Sequence, residues 1–250
     1  MHSALRKDFS SIVFQLPLPK SATVLDLGSG DGFFAALLAE SGAQVTALDN
    51  CEPYLRWAES RHSGKGIQFV LGDACALPLP DNSMDVVWSA HSMQSLPNLR
   101  RSLSEVRRVL KPCGKLAVLE TDNLHSVMLP WPPDVELNIR RVEHACIEST
   151  DQYLGTYFPR LADWLLRQCG FHRIRSTHTL IERHGPPTPA LRKYLSLHVR
   201  DTVLKVKHRL PSFALHRLRR SLSPESEEYV LSDKGFFLRS LQTLVLAERD

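Results

Sequence analysis

The chain is 250 residues long, 43% hydrophobic and 23% charged, with a formal net charge of +4. That length and apolar content suffice for one large globular domain, or one domain with an added cap. The mild charge balance by itself calls for no polyanionic partner.

The first twenty residues, MHSALRKDFSSIVFQLPLPK, carry basic side chains but no uninterrupted apolar stretch followed by small residues, so no secretory leader is expected. No apolar run elsewhere is long enough to cross a bilayer, and a cytoplasmic protein is expected. Cys51, Cys75, Cys113, Cys146 and Cys169 are odd in number, scattered and never spaced C-x-x-C. That pattern points to free thiols, with neither a disulfide framework nor a zinc site.

Apolar runs and helix-period patterns then alternate. ATVLDLG (Ala22 to Gly28) reads as a buried strand, and GFFAALLAESG as a helix that Gly42 ends. AQVTALDN is a second strand, EPYLRWAESR a helix, IQFVLGDA a third strand and MDVVWSAH a fourth. LRRSLSEVRRVLKPCG makes a helix stopped by Pro112 and Gly114, and KLAVLETD (Lys115 to Asp122) a fifth strand. Strands alternating with helices predict an α/β doubly wound, Rossmann-like parallel sheet joined by right-handed crossovers.

After Asp122 the rhythm changes. A proline-rich loop leads to Val135, Ile139, Val142 and Cys146 at helical spacing, begun by Asp134. FPRLADWLLRQCGF predicts a helix with Pro159 in its first turn, Leu161, Trp164, Leu165 and Gln168 on one side, and Gly170 at its end. FHRIRSTHTLI follows as a strand, and FFLRSLQTLVLAE closes the chain as another. Between them, after GPPTP, Leu191, Leu195, Val199, Val203, Val206 and Leu210 predict an amphipathic helix. The expected organisation is a single domain: a core over 21–122, cap and substrate insertions over 123–160 and 185–235, and a final strand over 236–250.

The glycines at 28, 30 and 32 fall where strand one turns into helix one, at the strands' carboxyl edge where such sheets bind ligands. Dinucleotide sites space the third glycine one position later. Here the spacing is G-x-G-x-G after Asp26, an acid that repels a pyrophosphate but suits the ammonium of an amino-acid-like ligand. Twenty-three residues on, strand two ends in Asp49, where an acid accepts from ribose hydroxyls. Strand three ends in Asp73, within reach of an adenine edge. Adenine, ribose and an amino-acid tail together make S-adenosylmethionine.

At VLDLGSGDG, VTALDN, IQFVLGDACALPLPDNSMDVVWSA and EVRRVLKPCGKLAVLE, in matching order over roughly residues 21–122, the chain resembles the class I S-adenosylmethionine-dependent methyltransferases. The likeness is greatest to the small-molecule branch that includes quinone C-methyltransferases. The resemblance implies a seven-stranded sheet of order 3-2-1-4-5-7-6 with strand seven antiparallel and a mainly helical cap. It makes Asp26, Gly28, Ser29, Gly30 and Gly32 the methionine-side pocket, and puts Asp49 on the ribose and Asn50 beside the adenosine. Asp73 and Ala74 fall at the adenine, and Ala90 and His91 beside the sulfonium. Two departures stand out: Cys113 replaces the glycine usual in LKPGG, and Gln94 and Ser95 occupy places where many relatives carry histidines.

His91 is the candidate base, weighed against a histidine that merely shapes the pocket. Gln94, Asp122, His125 and Trp131 are the candidate substrate contacts; Asp122 and His125 weigh equally as a solvated loop pair, and Trp131 leans toward a packing role. The expected reaction moves a methyl group to an O, N or C acceptor on a small organic molecule. Pro186 to Leu222 carries nine lysines and arginines against one acid, Asp201. That imbalance keeps an anionic or lipid-associated substrate open, beside the bland reading of a solvated face. An RNA methyltransferase and a catalytically silent binding subunit are the alternatives. Nucleic acid is disfavoured because few aromatic residues interleave with the basic ones.

Overall fold

The computed structural model describes residues 2–96, 98–122, 128–148 and 153–250. Seven strands form one sheet: β1 (Thr23–Leu27), β2 (Gln44–Asp49), β3 (Gln68–Leu71), β4 (Met84–Ala90), β5 (Leu110–Thr121), β6 (Phe171–His184) and β7 (Phe237–Arg249). The helices among the described residues are α1 (Arg6–Val13), α2 (Phe33–Glu40), α3 (Glu52–His62), α4 (Leu99–Val109), α5 (Pro133–Glu148), α6 (Tyr153–Thr156), α7 (Phe158–Gln168), α8 (Pro189–Val206) and α9 (Ser212–Leu222). The strand order is β3-β2-β1-β4-β5-β7-β6. β1 pairs in parallel with β2 and β4, and β7 runs antiparallel to β5 from Thr121↔Gln242 to Lys115↔Glu248. This is the order and the single reversal that the sequence resemblance implied.

The chain divides into two compact units. One comprises Lys7–Asp122, Leu154–Thr179 and Gln242–Asp250. Its centre is β1, buried along almost its whole length, as a parallel strand with helices on both faces must be. α4 presents Leu99, Leu103 and Val106 to the core at helical spacing, and its first turn is closed by the Asn98 side chain, which accepts from the Arg101 N–H. α7 buries Phe158, Ala162, Leu165 and Leu166. Trp164, expected on the same side as Leu165, is instead half exposed beneath the Arg100 guanidinium, 5.2 Å from its ring centroid.

The other unit comprises Met1–Arg6, Asn123–Tyr153 and Leu180–Leu241. Val135, Ile139 and Val142 of α5 form a second core with Val206 of α8 and Leu218 of α9. α8 begins with Pro189 in its first turn and the Thr188 hydroxyl accepting from the Leu191 N–H.

Three elements differ from the sequence reading. α4 ends at Val109, and β5 starts at Leu110 instead of Lys115, with a register shift opposite Met84 and Val86 that accommodates Pro112, Cys113 and Gly114. The basic segment contains two helices, because Pro211 breaks the apolar pattern and starts α9. At the other end of the chain, α1 buries Phe9, Ile12 and Val13 where no element was anticipated.

Candidate cofactor site

The glycine turn joins β1 to α2, and its three glycines do different work. All three have left-handed backbones, with φ of 73° at Gly28, 50° at Gly30 and 72° at Gly32. A Cβ on Gly28 would stand 2.7 Å from the Ser92 Cβ, and one on Gly32 would meet the His62 ring at 3.0 Å. Those two glycines let neighbouring chain segments approach. A Cβ on Gly30 would meet nothing within 4 Å. Its bare main chain faces a cavity of about 300 Å³ at the carboxyl ends of β1 to β4.

The cavity wall comes from four strand ends. Leu27, Gly28 and Gly30 follow β1; Leu48, Asp49, Asn50, Cys51 and Tyr54 follow β2; Gly72, Asp73 and Ala74 follow β3; and His91, Ser92, Ser95 and Leu96 follow β4. Asp49 binds both neighbouring turns. Its Oδ2 accepts from the Gly30 N–H at 2.8 Å and its Oδ1 from the Cys51 N–H at 2.9 Å. Asp73 shapes its own turn by accepting from the Cys75 N–H at 2.8 Å.

Asp26 lies beneath the turn, 1% exposed, and its Oδ2 has no hydrogen-bond partner among the described residues. Burial pushes its carboxyl up to about 8, and Asp49 and Asp31 add to the rise against the opposing effect of the Ala35 N–H. A buried acid with one unpartnered oxygen, a cradle of bare main chain and an acid at the mouth suit a ligand with a cationic end and a hydroxyl-rich middle. S-adenosylmethionine has that chemistry, so the residues present fit it.

His91 closes the β4 side. Its φ is 53°, and its N–H donates to the Leu119 carbonyl. The ring Nε2 is 2.9 Å from Gln242 Oε1, which also accepts from the Thr121 hydroxyl at 3.2 Å. An amide oxygen only accepts, so Nε2 carries a proton and donates. Phe9 and Phe34 stand edge-on to the imidazole, with centroids at 5.6 and 6.1 Å. Behind the turn after β4, Glu120 is 2% exposed; its carboxylate accepts from the Met93 N–H at 2.8 Å and from the N–H groups of Ser92 and Thr121. Burial pushes Glu120 up to about 8 against those three donors.

Of the residues expected around the cofactor, Gly28, Gly30, Asp49, Asn50, Asp73, Ala74 and His91 line the cavity. Asp26, Ser29 and Ala90 are buried behind that wall, and Gly32 sits where α2 meets α3. Gln94 is half-buried in the short 3-10 turn Met93–Ser95, where a Cβ on Gly155 of α6 would lie 2.7 Å from its Cα. Asp122 is ion-paired with Arg160 at 2.7 Å. Trp131 packs against the Val135–Ile139–Val142 core of the helical unit. His125 lies outside the described residues. Tyr54 and Ser92 line the cavity without having been foreseen, and Glu120, Gln242 and Phe9 support it from behind. Tyr54 had a usable signal, standing five residues after Asp49 on the helix that follows β2.

A family model described as a methyltransferase domain matches residues 25–118. The malonyl-[acyl-carrier protein] O-methyltransferase of Methylococcus capsulatus is 32% identical over 207 residues, covering 80% of this chain and 70% of that protein. The demethylmenaquinone methyltransferase of Clavibacter sepedonicus is 39% identical over 98 residues, covering 39% of this chain and 40% of that protein. In fold, the chain resembles the Haemonchus contortus phosphoethanolamine N-methyltransferase 2 in complex with S-adenosyl-L-methionine. The TM-score is 0.56 at 19% identity, over 97% of this chain and 53% of that one. The glycine turn, the acids at the strand ends and the shared length with the first relative lead to one conclusion: the chain belongs to the class I S-adenosylmethionine-dependent methyltransferases.

Proposed function

We propose that this methyltransferase acts in the cytoplasm on an O, N or C acceptor of a small organic molecule, and that the cavity beside Gly30 holds its cofactor. The observation that carries this reading is the open cradle over Gly30, fixed by the Asp49 carboxylate and walled by Asp73 and His91. The names of the relatives, which include a malonyl-[acyl-carrier protein] O-methyltransferase and a demethylmenaquinone methyltransferase, support acceptors of that class.

When bound, S-adenosylmethionine supplies an electrophilic methyl group on a sulfonium. Gly28 and Gly30 offer main chain without side-chain obstruction, with Ser29 and Gly32 shaping the turn. Asp26 provides countercharge to the ligand's ammonium, Asp49 accepts from ribose hydroxyls with its remaining lone pairs, and Asn50, Asp73 and Ala74 flank the adenosine. Ala90 and His91 bound the methyl-bearing end, and Gln94 and Asp122 are the proposed acceptor contacts within this unit.

Methyl transfer needs donor and acceptor held in line, an alignment worth about 7–11 kcal/mol. An acceptor that is already a carboxylate needs no base; one that carries a proton passes it to His91. Incubating the protein with methyl-deuterated S-adenosylmethionine and a panel of malonyl thioesters, phenols and quinols tests the reading by mass spectrometry. The expected result is one acceptor class gaining the labelled methyl. Calorimetry that shows no binding of S-adenosylmethionine, or binding that survives an obstructing side chain at Gly30, overturns it.

A further inference from the structure

α8 carries two stripes. Leu191, Leu195, Val199, Thr202 and Val206 form the buried one. On the opposite side, Lys193, Leu197, Arg200, Leu204 and Lys207 recur at intervals of four, three, four and three residues, which a period of 3.6 residues brings onto one line. Leu197 and Leu204 are 49% and 54% exposed.

Among the described residues, Lys193, Arg200 and Lys207 make no ion pair. The one acid between Pro186 and Leu222, Asp201, is occupied by Lys205 at 2.6 Å. The stripe runs into a groove of about 340 Å³ between α8 and α9. Its floor is Val203, Leu215, Leu218 and Leu222, and Lys207, His208 and Arg219 stand on its rim. None of these residues lines the cofactor cavity.

A solvated helix face does not need two half-exposed leucines set between uncompensated cations. A nucleic-acid surface wants a series of aromatic platforms for the bases; of Tyr194 on α8 and Phe213 on α9, Tyr194 is half-buried and Phe213 alone is exposed. The leucines stand seven residues apart, about 10 Å along the helix, each bracketed by cations. A flat anionic surface with an apolar layer beneath satisfies every position of such a line at once.

We propose that the α8–α9 hairpin docks on an anionic lipid bilayer. Lys193, Arg200, Lys207 and Arg219 meet the headgroups, and Leu197 and Leu204 reach the acyl boundary. The groove receives a segment of acyl chain.

The test is sedimentation of the full-length protein with vesicles of phosphatidylglycerol and phosphatidylcholine in equal parts, and with pure phosphatidylcholine vesicles. The expected result is binding to the mixed vesicles alone, lost in high salt. The pair Arg200→Gln and Lys207→Gln should weaken it about 25-fold, at about fivefold per cation. The pair Leu197→Ser and Leu204→Ser should weaken it about tenfold. Leu197, Arg200 and Leu204 are exposed and Lys207 is half-buried at the groove, and circular dichroism checks that each variant unfolds like the parent.

No binding to mixed vesicles overturns the proposal, as does equal binding to neutral ones. If the leucine pair sediments like the parent while the charge pair does not, the surface is a plain polyanion adsorber and the proposal fails. It fails likewise if single-stranded RNA binds with the same dependence on Leu197 and Leu204.

Discussion

As the proposed countercharge to the ligand's ammonium, Asp26 should tie cofactor binding to proton release. With its carboxyl held at about 8, it is neutral in the ligand-free protein at pH 6.5. Meeting a cation requires it to ionise, and 1.5 pH units below its pKa that step costs about 2 kcal/mol, or about thirtyfold in affinity. Below pH 7.3 the ligand's own amino group is already an ammonium, so the linkage there belongs to Asp26. The affinity for S-adenosylmethionine should therefore rise by almost tenfold per pH unit from pH 6 to about 7.3.

Calorimetry at pH 6.5 in buffers of differing ionisation enthalpy should report about one proton released. Asp26→Asn should remove both effects and weaken binding at pH 8. Stability gives a second readout with a fixed sign. The folded-state pKa is raised, so the contribution of the neutral carboxyl is fully present below the ordinary carboxylate range and is lost as pH rises to about 8. Ligand-free wild type should lose thermal stability across that span more steeply than Asp26→Asn. An affinity flat from pH 6 to 7.3, or the same slope in the variant, refutes the reasoning.

The two glycines of the first turn that line the cavity, Gly28 and Gly30, should respond differently to an added methyl. Gly30→Ala meets open space and costs about 1–2 kcal/mol of backbone strain, yet should reduce cofactor affinity at least tenfold by calorimetry; Gly28→Ala collides with Ser92 and should fail first in thermal unfolding. Cys113 is exposed at a φ of 61°, where a glycine is at ease. Cys113→Gly should leave cofactor binding unchanged and raise stability in urea by about 0.5–1 kcal/mol, the strain relieved less the backbone entropy added.

The parallel core was legible because central strands buried on both faces read as unbroken apolar runs, as in VLDL and MDVVWSA. The glycine turn was legible because its ligand side is main chain, written in the sequence as missing side chains. What supports the site was not. Glu120 and Met93 are 27 residues apart and His91 and Gln242 are 151 apart, so neither pair leaves a local pattern. Asp49 was read as a ribose acceptor from its position alone; that both its oxygens also anchor turns depends on register between β1 and β2. The early start of β5 escaped because Pro112 and Gly114 spell a stop, whereas here they form an irregularity opposite β4.

The placing of β7 between β5 and β6 sets an order of events on the ribosome. β6 leaves the exit tunnel with its sheet neighbour still unsynthesised, and it waits there as an unpaired edge. Gln242, the hydrogen-bond partner of His91, is delivered on that same last strand. The hydrogen bond that steadies the His91 imidazole can therefore form only once β7 has been made, whereas the glycine turn and the Asp49 carboxylate that binds it are complete within the first fifty residues.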